Sequence, residues 1–185
     1  MTDLLTPCCQ HFQCFDYLGV GKYTPNASLL GETGWIPGHV RQHVCISRLF
    51  VRISNTHSSR LNKRIHIWSL SKAETCKNWY FCFQKLLDNI NLHITLDIST
   101  PVSPTFIVEV QNAALEAFTT EWSRQLNSEI GSSGKGNNKL PVRTYSRFKT
   151  EFYTEQYCKM IMPPRHRSAF AKFRCGVAPI RIETG

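Results

Sequence analysis

The sequence predicts a mainly α fold, an irregular assembly of about five to six helices. Three observations predict it. Apolar residues recur with helical spacing over 38–54, 75–91 and 105–130. Clusters of Gly, Pro, Ser and Asn punctuate those stretches. With 185 residues, 42% of them hydrophobic and 19% charged, the chain is long and apolar enough to bury a core and is not expected to be disordered.

Residues 1–35 are expected to be a turn-rich segment, broken by Gly19, Gly21, Pro25, Asn26, Gly31 and Gly34. Within it Phe15, Tyr17, Leu18 and Val20 fit a short helix or a buried strand. Pro37 suits the first turn of a helix over 38–54. Val40, Val44, Ser47 and Val51 share one face of it, while Arg41, Arg48 and Arg52 fall on one narrow seam. Ser58 or Ser59 can cap a helix over 60–71, where Leu61, Ile65 and Trp68 follow i, i+4, i+7. The run IHIWSL also alternates with period two, which leaves a strand open there. From Thr75, the residues Trp79, Cys82, Phe83, Leu86 and Ile90 make an apolar stripe to about 91. Pro101 and Pro104 end an extended or linking piece over 92–104. The longest helix is expected over 105–130, with Val108, Leu115, Phe118, Trp122 and Leu126 on one face. The run 131–138 has the composition of a flexible linker. A smaller helical region follows at about 143–160. Met162-Pro163-Pro164 then starts a last helix over 164–175. On that helix Ala169, Phe170, Phe173 and His166 share one side, and Arg165, Arg167, Lys172 and Arg174 fan over the other. The organisation expected is therefore 1–35 turn-rich, 36–130 helical, 131–138 linker, and 139–185 a small basic helical region.

Charge is distributed in blocks. With 22 Lys and Arg against 13 Asp and Glu the formal charge is +9, which favours a polyanionic partner. Residues 36–93 carry nine basic and two acidic residues; 132–185 carry eleven and three. Between them, 94–131 carry one basic and five acidic residues. Solvated helix faces would give the same pattern, and the acidic block could dock on a basic one. No apolar run approaches the roughly 20 residues of a membrane span. The first residues have neither a basic n-region nor a long apolar h-region, so no secretory signal and no membrane partner are expected, and an intracellular location is. In that setting the eight Cys are expected to be thiols, with Cys45 and Cys82 as small core residues.

Motifs of catalysis are missing. Cys8, Cys9, His11 and Cys14 crowd four candidate ligands into seven residues, which one short loop would have to wrap into a tetrahedron, so no metal is expected. His39 and His43 are four apart, but HVRQH has no Glu after the first His. Gly19-Val-Gly21-Lys22 is too short for a phosphate loop, and Tyr23 follows the Lys. Asp stands only at 3, 16, 88 and 97, so no aspartate pair can hold two metals for nucleotidyl transfer. No cofactor is implied. Cations interleaved with aromatics remain, in RFKTEFYTEQY and PPRHRSAFAKFR, the residue types that bind phosphate and stack on unpaired bases.

Several stretches carry a resemblance. They are Cys14-Phe-Asp-Tyr-Leu-Gly-Val-Gly-Lys-Tyr-Thr-Pro-Asn26, Gly31-Glu-Thr-Gly-Trp35, Arg60-Leu-Asn-Lys-Arg-Ile65, Cys76-Lys-Asn-Trp79 and Phe148-Lys-Thr-Glu-Phe152. The most specific is His166-Arg-Ser-Ala-Phe-Ala-Lys-Phe-Arg-Cys-Gly-Val-Ala-Pro-Ile180 with the five residues after it. Over roughly 12–185 the chain resembles the region downstream of the polymerase core in non-LTR (LINE-type) retrotransposon reverse transcriptases. The resemblance implies a fragment of a larger polyprotein whose catalytic aspartates lie upstream, hence no enzyme in itself. It implies an accessory role in holding RNA or DNA without sequence preference. The residues expected at phosphate are Arg60, Lys63, Arg64, Arg165, Arg167, Lys172 and Arg174. Docking on the rest of the parent polyprotein, or a retroelement relic without a role, are the alternatives left open.

Overall fold

The computed structural model describes residues 15–21, 24–72, 76–97, 100–129 and 145–178, and among them there is helix and no strand. Helix α1 spans Asn26–Thr33, α2 Gly38–Ser54, α3 Leu61–Leu70, α4 Trp79–Asn89 and α5 Thr105–Glu129. Three more follow, α6 Tyr145–Phe148, α7 Gln156–Lys159 and α8 Pro164–Arg174. A helical turn at 15–18 precedes them. The mainly α class is as expected. No described helix is long and apolar enough to cross a membrane.

The chain divides into two compact units, 1–38 together with 119–185, and 39–118. This departs from the division the composition suggests. Described residues of the N-terminal stretch, Leu18, Val20 and Leu29, pack with Tyr157, Cys158 and Ala171 in one unit. Gly31 lies within α1 and Gly34 caps it. Gly34 ends α1 in the left-handed region at φ 62° and donates its N–H to the Leu30 carbonyl at 2.8 Å. The linker expected at 131–138 and the Cys8, Cys9, His11, Cys14 cluster lie outside the described residues.

The 39–118 unit is built on an aromatic core. The Phe50 ring lies 5.5 Å from Phe83 and 5.6 Å from Phe106, and Trp79 sits 5.2 Å from Phe83. Leu87, Val110 and Ala114 are buried with them. Helix α4 begins later than Thr75 because Asn78 caps it, accepting from the Phe81 N–H at 3.1 Å while donating to the Ser69 carbonyl at 2.6 Å. Its buried side is Tyr80, Phe83 and Leu87, so Cys82 is exposed, as is Cys45 on α2. Neither cysteine is the small core residue its neighbours suggested. Asn55 closes α2 onto the segment before α5, bonding both the N–H and the carbonyl of Val102 at 2.9 Å. At the start of α5 the buried residues are Phe106, Val110 and Ala114, and Val108 is exposed.

The other unit centres on Leu18, Val20, Leu29, Tyr157, Cys158 and Ala171. Trp122 and Tyr145 are buried beside Gly31, where an added Cβ would stand 2.8 Å from the Trp122 ring. The Trp122 indole N–H donates to the Ala27 carbonyl at 2.8 Å. Within the region about 143–160 the described residues form two single turns, α6 and α7, joined by an irregular, bent connection. The reason is a polar knot. Lys149, just past α6, sends its buried ammonium to the Tyr153 carbonyl at 2.7 Å and to Glu155 at 2.6 Å. Glu155 also meets Arg174 of α8 at 3.0 Å. Arg174 in turn contacts both oxygens of the fully buried Glu32 at 3.0 Å. The Tyr157 hydroxyl donates to Glu32 at 2.5 Å. Two carboxylates thus face two cations, with the Tyr157 hydroxyl on Glu32 and the Tyr153 carbonyl on Lys149 as further partners.

Candidate nucleic-acid interface

Helix α2 packs through Val40, Ser47, Phe50, Val51 and Ser54. Arg41, Arg48 and Arg52 lie roughly a third of a turn away, within about 40° of one another at 100° per residue. All three are exposed. By helical rise they are separated by about 10 Å and about 6 Å along the axis. The seam noted in the sequence is therefore an open row of guanidinium groups.

Helix α3 reverses the expected orientation. Lys63 is its buried residue, and the ammonium bonds the Ser54 carbonyl. Leu61, Ile65 and Trp68 stand outside at 69%, 52% and 65% exposure. Arg60 and Arg64 are exposed as well. Arg60, Arg64 and Trp68 are spaced by four and make one surface row. The helix turns this way because Lys63 caps the end of α2, while Tyr80 takes His66 through an Nδ1 to hydroxyl contact of 3.1 Å.

Where α2 gives way to α3, a depression of about 540 Å³ is lined by Arg52, Thr56, His57, Arg60, Leu61 and Asn62. Next to this turn, a second of about 500 Å³ is lined by Ser54, Asn55, Thr56, Ser58, Lys63, Pro101, Val102 and Ser103. No carboxylate occurs in the chain between Glu32 and Glu74, a stretch with seven Lys and Arg. The helices α2 and α3 thus present cations with no intrahelical acid to neutralise them. Such a face can hold phosphate oxygens, and Trp68 can offer a ring to an unpaired base.

The seven residues expected at phosphate divide accordingly. In the 39–118 unit Arg60 shares a depression with Arg52 of α2, and Arg64 is exposed one turn further along α3. Lys63 is an internal hydrogen-bond donor. In the other unit, Arg165 is exposed and Lys172 half-buried. Arg167 lies over the Tyr17 ring, 4.5 Å from its centre, which leaves it half-buried. Arg174 is committed to Glu32 and Glu155 and is withdrawn from the interface. Arg41, Arg48 and Arg52, the seam noted on α2, are exposed too but were not among the seven. Their signal is the acid-free run that contains them.

Helix α8 is inside out with respect to its expected wheel. Its inward stripe is Arg167, Ser168, Ala171, Arg174 and Cys175, while Phe170 and Phe173 stand 54% and 58% exposed. Ser168 explains part of this, donating to the Gly19 carbonyl at 2.6 Å. Burial pushes the Cys158 thiol up to about 11 and raises Cys175 too, so these two are unreactive thiols at neutral pH. Among the described residues no three of His, Cys, Asp and Glu gather as a metal site. No family model, no curated protein and no solved structure matches the chain.

Proposed function

We propose that the chain is an accessory nucleic-acid-binding piece of a non-LTR retrotransposon reverse transcriptase, without a catalytic centre of its own. It holds the sugar-phosphate backbone of RNA or DNA and does not read sequence. The observation that carries this is the acid-free cationic face of α2 and α3, with Arg41, Arg48, Arg52, Arg60 and Arg64 exposed on it. Exposed guanidinium groups bind phosphate at little desolvation cost, and neutralising phosphates releases counterions. The resemblance of residues 12–185 to the post-polymerase region supports the same reading.

Binding of a labelled single-stranded RNA, measured by anisotropy across a salt series, tests it. Affinity should be independent of base sequence and fall linearly on a log–log plot against salt. A response that does not change with salt, or no binding at low salt, would remove the reading. A second reading has one observation in its favour. Leu61 and Ile65 are apolar, exposed and adjacent, as in a segment that docks on the parent polyprotein. It predicts that Leu61→Ser with Ile65→Ser abolishes association with the polymerase part and leaves RNA affinity intact.

A further inference from the structure

A groove in the unit of 1–38 and 119–185 is not used by the cationic face. It measures about 380 Å³, and Phe148, Tyr153, Phe170 and Phe173 line it with Gln156, Tyr157, Glu155 and Arg174. The first four are 55%, 49%, 54% and 58% exposed, so four large rings stand half-open around one hollow. Two of them, Phe170 and Tyr153, are held by neighbours. Tyr157 stacks on Phe170 at 5.8 Å and 22°, and its hydroxyl is anchored on Glu32. The Lys149 ammonium sits 3.3 Å from the centre of the Tyr153 ring.

We propose that this groove takes unpaired bases of a single-stranded nucleic acid. The proposal rests on the nucleic-acid reading above and adds a strand preference to it. Ring faces open to solvent suit flat, apolar partners, and any base has such a face once it leaves a duplex. Charge selects the anionic kind of partner. Of the seven Lys and Arg in residues 145–174, Lys149 and Arg174 are spent on Glu155 and Glu32, which leaves five cations against Glu151. The Gln156 side chain is exposed at the groove and can donate to or accept from a base edge. Duplexes keep their bases stacked and gain nothing from the rings.

The test uses the full chain with a single-stranded RNA and a duplex of equal length, compared by anisotropy at low salt. The variants are Phe170→Leu with Phe173→Leu, and Phe148→Leu, with circular dichroism to show that the helices persist. Wild type should prefer the single strand. The double variant should lose about tenfold or more for the single strand, keep its duplex affinity, and keep the salt slope. If wild type binds RNA with a steep salt slope and the double variant binds the single strand as well as wild type, the groove proposal falls while the function stands. If no nucleic acid binds at all, both fall. If the double variant instead loses an acidic, Phe-containing peptide while RNA affinity is unchanged, the groove is a protein-docking site and the proposal is overturned.

Discussion

Glu32 shows how much a single residue can carry. It has no exposure, and it pairs with Arg174 across 142 positions of sequence and with Tyr157 across 125. Replacing Glu32 by Ala removes one of the two carboxylates on Arg174 and the acceptor of the buried Tyr157 hydroxyl. The expected loss is about 2–3 kcal/mol, read from urea unfolding followed by far-UV circular dichroism. Glu32→Gln should be milder, because the amide can still take the Tyr157 hydroxyl. None of this was legible in NASLLGET, where Glu32 reads as a polar residue near a turn. Partners so distant leave no local pattern. Two histidines set a second expectation. His39 and His43 are held below the ordinary value of 6.5, chiefly by burial, with His39 adding to the effect on His43. A lowered folded value means the unfolded chain takes up protons first. The stability involved is therefore complete above about 6.5 and is lost as pH falls through the folded value. Melting of the protein at about pH 7.5 and about pH 5 should show the drop, and His43→Asn should shrink it.

At the level of elements, the sequence located helices better than it oriented them. The bounds of α2, α3, α5 and α8 lie within a residue or two of those expected, because apolar spacing, Pro at a first turn and polar breaks are local signals. Orientation failed where a polar side chain does the packing. In α3, Lys63 goes in and Trp68 stays out; in α8, Arg174 goes in and Phe170 stays out. A hydrophobic wheel assumes that burial follows apolarity, and an internal ion pair or carbonyl partner breaks that assumption. The row on α2 gives the sharpest test at this scale. Arg41→Gln, Arg48→Gln and Arg52→Gln together should leave the helix content unchanged, since these residues are exposed and Gln is a good helix former. If each contacts one phosphate, the salt slope on single-stranded RNA should fall by about 2, from about 0.7 per contact. An unchanged slope would take α2 out of the interface.

For the whole molecule, one of the two units is discontinuous in sequence. The break at 131–138 looked like a domain boundary, yet residues on both sides of it belong to the same unit. The bonds that tie that unit are long-range: Glu155 N–H to the Glu32 carbonyl, Ser168 to Gly19, Trp122 to Ala27. Only the folded chain brings them together. The net charge of +9, by contrast, needed no fold to read, and it leads to a prediction about stability rather than affinity. A ligand that binds only the folded protein stabilises it by mass action. With single-stranded RNA at a hundred times its dissociation constant, the gain is about 2.7 kcal/mol. For a protein of this size that should raise the melting midpoint by about 5–10 °C at low salt. Two RNAs of unrelated sequence should give equal shifts, because backbone contacts carry no base information. The shift should vanish as salt is raised, since the contacts are made by displacing counterions. A shift that persists in high salt would mean that the stabilising contact is apolar, and would move it from the arginine row to exposed rings, those of the groove or Trp68 of α3.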